Sequence, residues 1–173
     1  MVAIKGLEKF APRDFPGHIA STIFLPGCTF RCPYCHNVDL VLRPETLADV
    51  PLDFFIAFLD ARMGWLEGVC VSGGEPLLHP EIEGLLAVIK ERNLLVKLDT
   101  NGSRPDRLER LIEAGLVDWI AMDVKAPLAR YAEVVRAPVD PAAVARSAEI
   151  IRTSGLQHVF RTTVVPGLVG EED

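Results

Sequence analysis

The chain is 173 residues long, with 49% apolar and 24% charged residues and 13 each of glycine and proline, which describes one globular domain and excludes a disordered or collagen-like chain. Eighteen basic against 24 acidic side chains leave a net charge of −6, which argues against a broad phosphate-binding surface and against nucleic acid as a partner. No apolar run reaches the roughly 18 residues of a membrane span, and the first ten residues carry Lys5, Glu8 and Lys9 instead of a secretory apolar core, so a cytoplasmic protein is expected.

In chain order, apolar periodicity predicts a β-rich run over His18 to Leu25 that ends at Pro26-Gly27, with a cysteine-rich loop behind it. Leu52, Phe55, Ile56 and Leu59 recur at helical spacing after Pro51. Glu67 to Ser72 reads as a short buried strand closed by Gly73-Gly74. Ile82, Leu85, Leu86 and Ile89 mark the next helix after Pro80, with Glu81 and Glu83 at its positive end. Leu94 to Asp99 is a third strand, ending in the Thr100-Asn101-Gly102 turn. Leu108, Leu111 and Ile112 mark the helix behind it, which stops near Gly115, and Val117 to Val124 is a fourth strand. Asp140 caps a helix with Pro141 in its first turn, Ala142 to Thr153 as its body and Gly155 as its stop; Gln157 to Val165 is the fifth strand. Unbroken strand-then-helix units imply parallel strands with right-handed crossovers, hence an α/β fold that is either a doubly wound sheet or an open partial barrel. A complete eight-stranded barrel needs roughly 200 residues or more.

In such folds the chemistry collects at the C-terminal strand ends. There the chain places Cys28, Cys32 and Cys35, then Ser72 to Pro76 (SGGEP), then Asp99 to Gly102 (DTNG), then Asp123 with Lys125, while Arg161 lies in the fifth strand. The C-x3-C-x2-C loop offers three thiolates, one fewer than a closed tetrahedral zinc or iron–sulfur site takes. Two readings follow. Either His36 or His18 completes a structural zinc site in a non-catalytic interaction module, or an iron–sulfur cluster keeps one iron open for a small molecule. Gly73 and Gly74 would let backbone approach a ligand, and the absence of a following Gly-Lys-Ser/Thr excludes a nucleotide P-loop. Asp99 and Asp123 could bind a cation or an ammonium group, and Lys125 and Arg161 a carboxylate. Cys70 reads as a core residue, His79 as a helix cap, and His158 has no evident partner.

The C-x3-C-x2-C loop with Tyr34 before its last cysteine, followed by Gly-Gly-Glu-Pro, resembles the radical S-adenosylmethionine (SAM) superfamily. Asp14-Phe-Pro-Gly17, Leu25-Pro-Gly-Cys28, Cys35-His36-Asn37, Asp99-Thr-Asn-Gly102 and Asp123-Val-Lys125 are similar to its glycyl-radical-enzyme activases, from about Ile4 to Gly167. The resemblance implies an open partial (β/α)6-type barrel forming one radical SAM domain over residues 1–173. The last helix and strand of that barrel are expected to be lacking, and the chain is expected to be C-terminally incomplete.

It further implies that Cys28, Cys32 and Cys35 bind a [4Fe–4S] cluster and that SAM lies on it, with Gly73, Gly74 and Glu75 at its methionine moiety and Tyr34 near the adenine. Asp99 and Asp123 would hold a monovalent cation beside the SAM carboxylate, with Lys125 and Arg161 lining the same pocket. The implied reaction is reductive cleavage of SAM, with an electron from flavodoxin or ferredoxin, and hydrogen abstraction from a backbone glycine of a partner glycyl radical enzyme. Anaerobic ribonucleoside-triphosphate reductase is the leading partner, with pyruvate formate-lyase or another radical SAM substrate as alternatives. Cys70 is the one cysteine left over, so a second cluster is excluded.

Overall fold

Over Ala20–Leu25, Gly68–Gly73, Leu95–Thr100 and Trp119–Asp123 buried apolar residues recur at every second position, and that period of two sorts the sheet into two unlike faces. The computed structural model describes residues 2–173. Six strands lie in the order of the chain: β1 (Gly6–Glu8), β2 (Ala20–Leu25), β3 (Gly68–Gly73), β4 (Leu95–Thr100), β5 (Trp119–Asp123) and β6 (Gln157–Arg161). β1 runs antiparallel to β2, and β2 through β6 are parallel. A doubly wound sheet reverses its strand order at a switch point. This one never reverses, so the open partial barrel is the architecture adopted.

Helices α1 (Val38–Leu42), α2 (Leu52–Asp60), α3 (Ile82–Lys90), α4 (Pro105–Glu113), α5 (Tyr131–Val135) and α6 (Pro141–Thr153) occupy the crossovers. The aliphatic face of the sheet, with Ile23, Leu25, Val69, Val71, Val96, Leu98, Ile120 and Met122, shares one buried cluster with Leu86 and Ile89 of α3 and Leu108 and Leu111 of α4. Each such side chain contributes about 1.5–3 kcal/mol by leaving water. As predicted, Asp140 caps α6: its Oδ1 accepts from the Ala142 N–H at 2.9 Å.

On the opposite face Thr22, Cys70, Lys97 and Trp119 lie side by side in register across β2 to β5. Below them the Phe15 ring occupies the place where a Cβ on Gly68 would be. The side chains of this face point into the barrel, and their upper members, Asp99, Asp123 and Arg161, reach the C-terminal rim.

β1, α1 and α5 have no counterpart in the predicted elements, since runs of three to five residues are too short to show a period. The fifth predicted strand is also shorter than expected. It ends at Arg161 instead of Val165, because Val165 turns back to bond Val169, donating to its carbonyl at 2.8 Å.

Candidate active site

The cysteine loop leaves β2 and is anchored on both sides. Asn37 Nδ2 donates to the Gly73 carbonyl at 3.1 Å, tying the loop to the exit of β3. Asn101 Nδ2, at the exit of β4, donates to Thr29 Oγ1 at 3.1 Å and lies 3.5 Å from Cys28 Sγ, while the Thr29 and Ser103 hydroxyls are 2.9 Å apart. Within the loop the Phe30 N–H points at Cys28 Sγ (3.3 Å) and the Cys35 N–H donates to the Cys32 carbonyl (3.1 Å). Cys28, Cys32 and Cys35 are all free, half-buried thiols. Burial pushes the Cys28 and Cys32 thiols up, and Lys125 pulls Cys32 part of the way back.

The Gly-Gly-Glu-Pro turn closes two strand exits on each other and borders the cavity. A Cβ at Gly74 would collide with the Gly27 carbonyl oxygen, and one at Gly73, whose φ is +127°, with the backbone of Leu25. Both glycines therefore let the exits of β2 and β3 close on each other, and the N–H groups of Gly74 and Glu75 donate to Leu25 (2.9 Å) and Gly27 (2.8 Å) carbonyls. Both glycines still line the cavity, whereas Glu75 does not. Its side chain is fully buried and spends both oxygens on the fold: Oε1 accepts from Leu77 N (3.0 Å) and Thr100 Oγ1 (2.8 Å), Oε2 from Asn101 N (2.7 Å). Burial pushes its carboxyl up to about 7 against the pull of those three bonds. The Glu75 side chain, expected at the methionine moiety, here braces the strand exits. His79, expected as a helix cap, closes the short helical turn Pro76–Leu78 through its N–H, and its Nε2, 2.8 Å from the Pro26 carbonyl, holds the same junction.

The charged residues form a ladder that climbs the inner face. Lys97 Nζ pairs with Asp99 Oδ1; Arg161 Nη1 reaches Asp99 Oδ2 at 3.4 Å and its Nε reaches Asp123 Oδ1 at 2.8 Å; Lys125 Nζ reaches Asp123 Oδ2 at 2.9 Å. Ser72 Oγ adds a bond to Asp99 Oδ2 at 3.3 Å. Burial works to raise the Asp123 carboxyl, but Lys125 and Arg161 together hold it below the ordinary carboxylate value. Lys97 escaped the sequence reading. Its signal was its place two residues before Asp99, which on a strand puts both on one face.

These groups converge. The cysteines, Tyr34, Gly73 and Gly74, and then Asp99, Asp123, Lys125 and Arg161, line one cavity of about 460 Å³, within the range of small-molecule sites. His36 lies there too, but His18 does not. It packs edge-on against Phe15 and faces Glu67.

A model of the radical SAM superfamily matches residues 22–173. The chain belongs to this superfamily. A protein of Methanocaldococcus jannaschii named as a glycyl-radical enzyme activating enzyme is 34% identical over 98% of this radical SAM chain and 71% of its own. The pyruvate formate-lyase-activating enzyme of Staphylococcus aureus is 37% identical over 57% of this chain and 41% of its own, so the chain spans less than half of that relative. In fold, the chain is similar to the structure of TYW1 with a lysine-pyruvate adduct, with a TM-score of 0.63 at 15% identity, covering 91% of this chain and 60% of that one.

Membership makes the chain an enzyme and implies a [4Fe–4S] cluster and SAM. The residues present fit both. Three free thiols face one cavity, with surplus positive charge beside them for a ligand carboxylate. Among the described residues, the Tyr34 hydroxyl is buried near the Cys32 thiol without a well-formed hydrogen bond, which leaves a polar atom for a ligand to meet.

Proposed function

We propose that this radical SAM enzyme installs a glycyl radical on a partner enzyme, with anaerobic ribonucleoside-triphosphate reductase as first choice and pyruvate formate-lyase as second. The observation that carries the reading is the convergence of Cys28, Cys32 and Cys35 with the Asp99, Asp123, Lys125 and Arg161 charges in one cavity. The similarity to a named glycyl-radical enzyme activating enzyme along nearly the whole chain supports it.

In this proposal the three cysteines hold a [4Fe–4S] cluster and SAM lies beside it. When bound and reduced by flavodoxin or ferredoxin, the pair supplies one-electron cleavage of the sulfonium and the hydrogen abstraction that follows. The chain's own residues orient and enclose. Arg161 and Lys125 meet the SAM carboxylate, and Tyr34 stands near the adenine. Asn101 directs its amide at Cys28 Sγ, the kind of hydrogen bond that tunes a cluster's potential. Glu75 keeps the three strand exits in register so that these groups stay aimed. The implied alkali cation meets competition, since Asp99 and Asp123 already have cationic partners from the protein. We place the enzyme in the cytoplasm; no helix among the described residues is long and apolar enough to cross a membrane.

The test is anaerobic reconstitution with iron and sulfide, reduction, and mixing with SAM and either purified partner. A glycyl radical signal in electron paramagnetic resonance with the reductase alone is expected. A signal with the lyase alone moves the assignment to the second partner, and stoichiometric zinc without sulfide overturns it.

A further inference from the structure

Lys97 is the least accessible ionised side chain of the inner face. Its side chain is 3% exposed, against 16% for Asp99 and 30% for Asp123. It sits mid-strand in β4, where it contacts Asp99 Oδ1, Cys70 Sγ at 3.6 Å, and the Trp119 ring with its centroid 5.2 Å away. Burying an ammonium costs several kcal/mol unless a partner offsets it. The compensation here is Asp99, two positions along the same face.

From there the charges alternate upward through Arg161, Asp123 and Lys125. Three cations face two carboxylates, so the ladder carries one positive charge in excess before any ligand arrives. An alkali ion bound between Asp99 and Asp123 would displace Arg161 from both, because its guanidinium already spans them at 3.4 and 2.8 Å. It would also raise the local excess to two.

We infer that Lys97 and Arg161 supply from the protein the positive charge that a bound monovalent cation would bring to the Asp99–Asp123 pair, with Lys97 as the positioning residue that holds Asp99 in place from below. The excess charge is then left for the carboxylate of the ligand. This rests on the proposed SAM site, and it makes SAM binding independent of sodium and potassium.

The experiment measures SAM affinity of the cluster-loaded protein by equilibrium dialysis, in potassium chloride and in tetramethylammonium chloride at equal ionic strength. The wild-type affinity is expected to agree within twofold between the salts; a tenfold or greater loss without potassium overturns the inference. In Lys97→Met, affinity in tetramethylammonium is expected to fall at least tenfold and to recover in potassium as the ion takes the vacated position. A purely structural lysine would give a loss that no salt repairs, and that result also overturns it. Retention of rubidium, measured with and without SAM, needs neither variant nor affinity: no stoichiometric binding to the wild type is expected, and one ion per chain sinks the idea. Failure of SAM to bind in any salt would defeat the proposed function, and the rubidium arm alone would then decide this inference.

Discussion

The two faces of the one sheet are built by alternate residues of the same strands and share almost nothing. In β4, Val96 and Leu98 disappear into the aliphatic cluster under α3 and α4, while Lys97 and Asp99 carry charge into the barrel. In β5, Ile120 and Met122 do the first job and Asp123 the second, while the neutral Trp119 ring lies against the Lys97 ammonium. A shift of one residue in register would exchange the two roles completely. The difference teaches that in β3 to β5 stability and chemistry occupy the same strands and are kept apart by a period of two.

That separation can be broken or sharpened experimentally. The largest effect belongs to the polar side: replacing Cys28, Cys32 or Cys35 by Ala is expected to abolish iron binding, while Cys70→Ala on the inner face retains it, as iron and sulfide analysis of anaerobic protein will read. On the aliphatic side Leu98→Ala is expected to cost about 2–5 kcal/mol in urea unfolding. Iron content per folded molecule should stay the same, and a loss of iron there would mean that the faces are coupled. Asp123→Ala is expected to keep the cluster and weaken SAM binding about tenfold, roughly 1.4 kcal/mol; unchanged affinity would remove Asp123 from the site.

The remaining effect is a pH slope. The Glu75 carboxyl has an ordinary value of 4.5 and is pushed up to about 7 by burial in the fold. Below that window both states hold the proton and the group contributes nothing; as pH rises through it the unfolded chain ionises first, so stability falls until about pH 7 and is level beyond. Glu75→Gln should flatten that slope in urea titrations. An unchanged slope would assign it to another group.

Most of the fold was legible because aliphatic alternation and helical spacing are strong over six or more residues. Asp140 and Pro141 announced α6, and the five parallel strands stand where the periods placed them. The short β1 was not legible, since three residues show no period, and the β6 boundary was not, because the turn that bonds Val165 to Val169 leaves no mark in the apolar pattern. At the site, the strand-end positions of Asp99, Asp123, Lys125 and Arg161 could be read, and they line the cavity together. The roles of Glu75 and the two glycines could not. A tight loop and a ligand cradle call for the same residues, and only the position of the Leu25 and Gly27 backbone tells them apart.

Strand order that follows chain order has a consequence for synthesis. Each crossover unit can dock on the one before it as it leaves the ribosome, with no strand waiting for a distant partner. The cysteine loop emerges with β2, but Asn101, Lys125 and Arg161, which complete its surroundings, arrive with β4, β5 and β6. Throughout that interval the three thiols stand in solvent, open to oxidants and to stray metal ions. Expression under air, or in zinc-rich medium, is therefore expected to spoil the nascent chain before its cavity has walls.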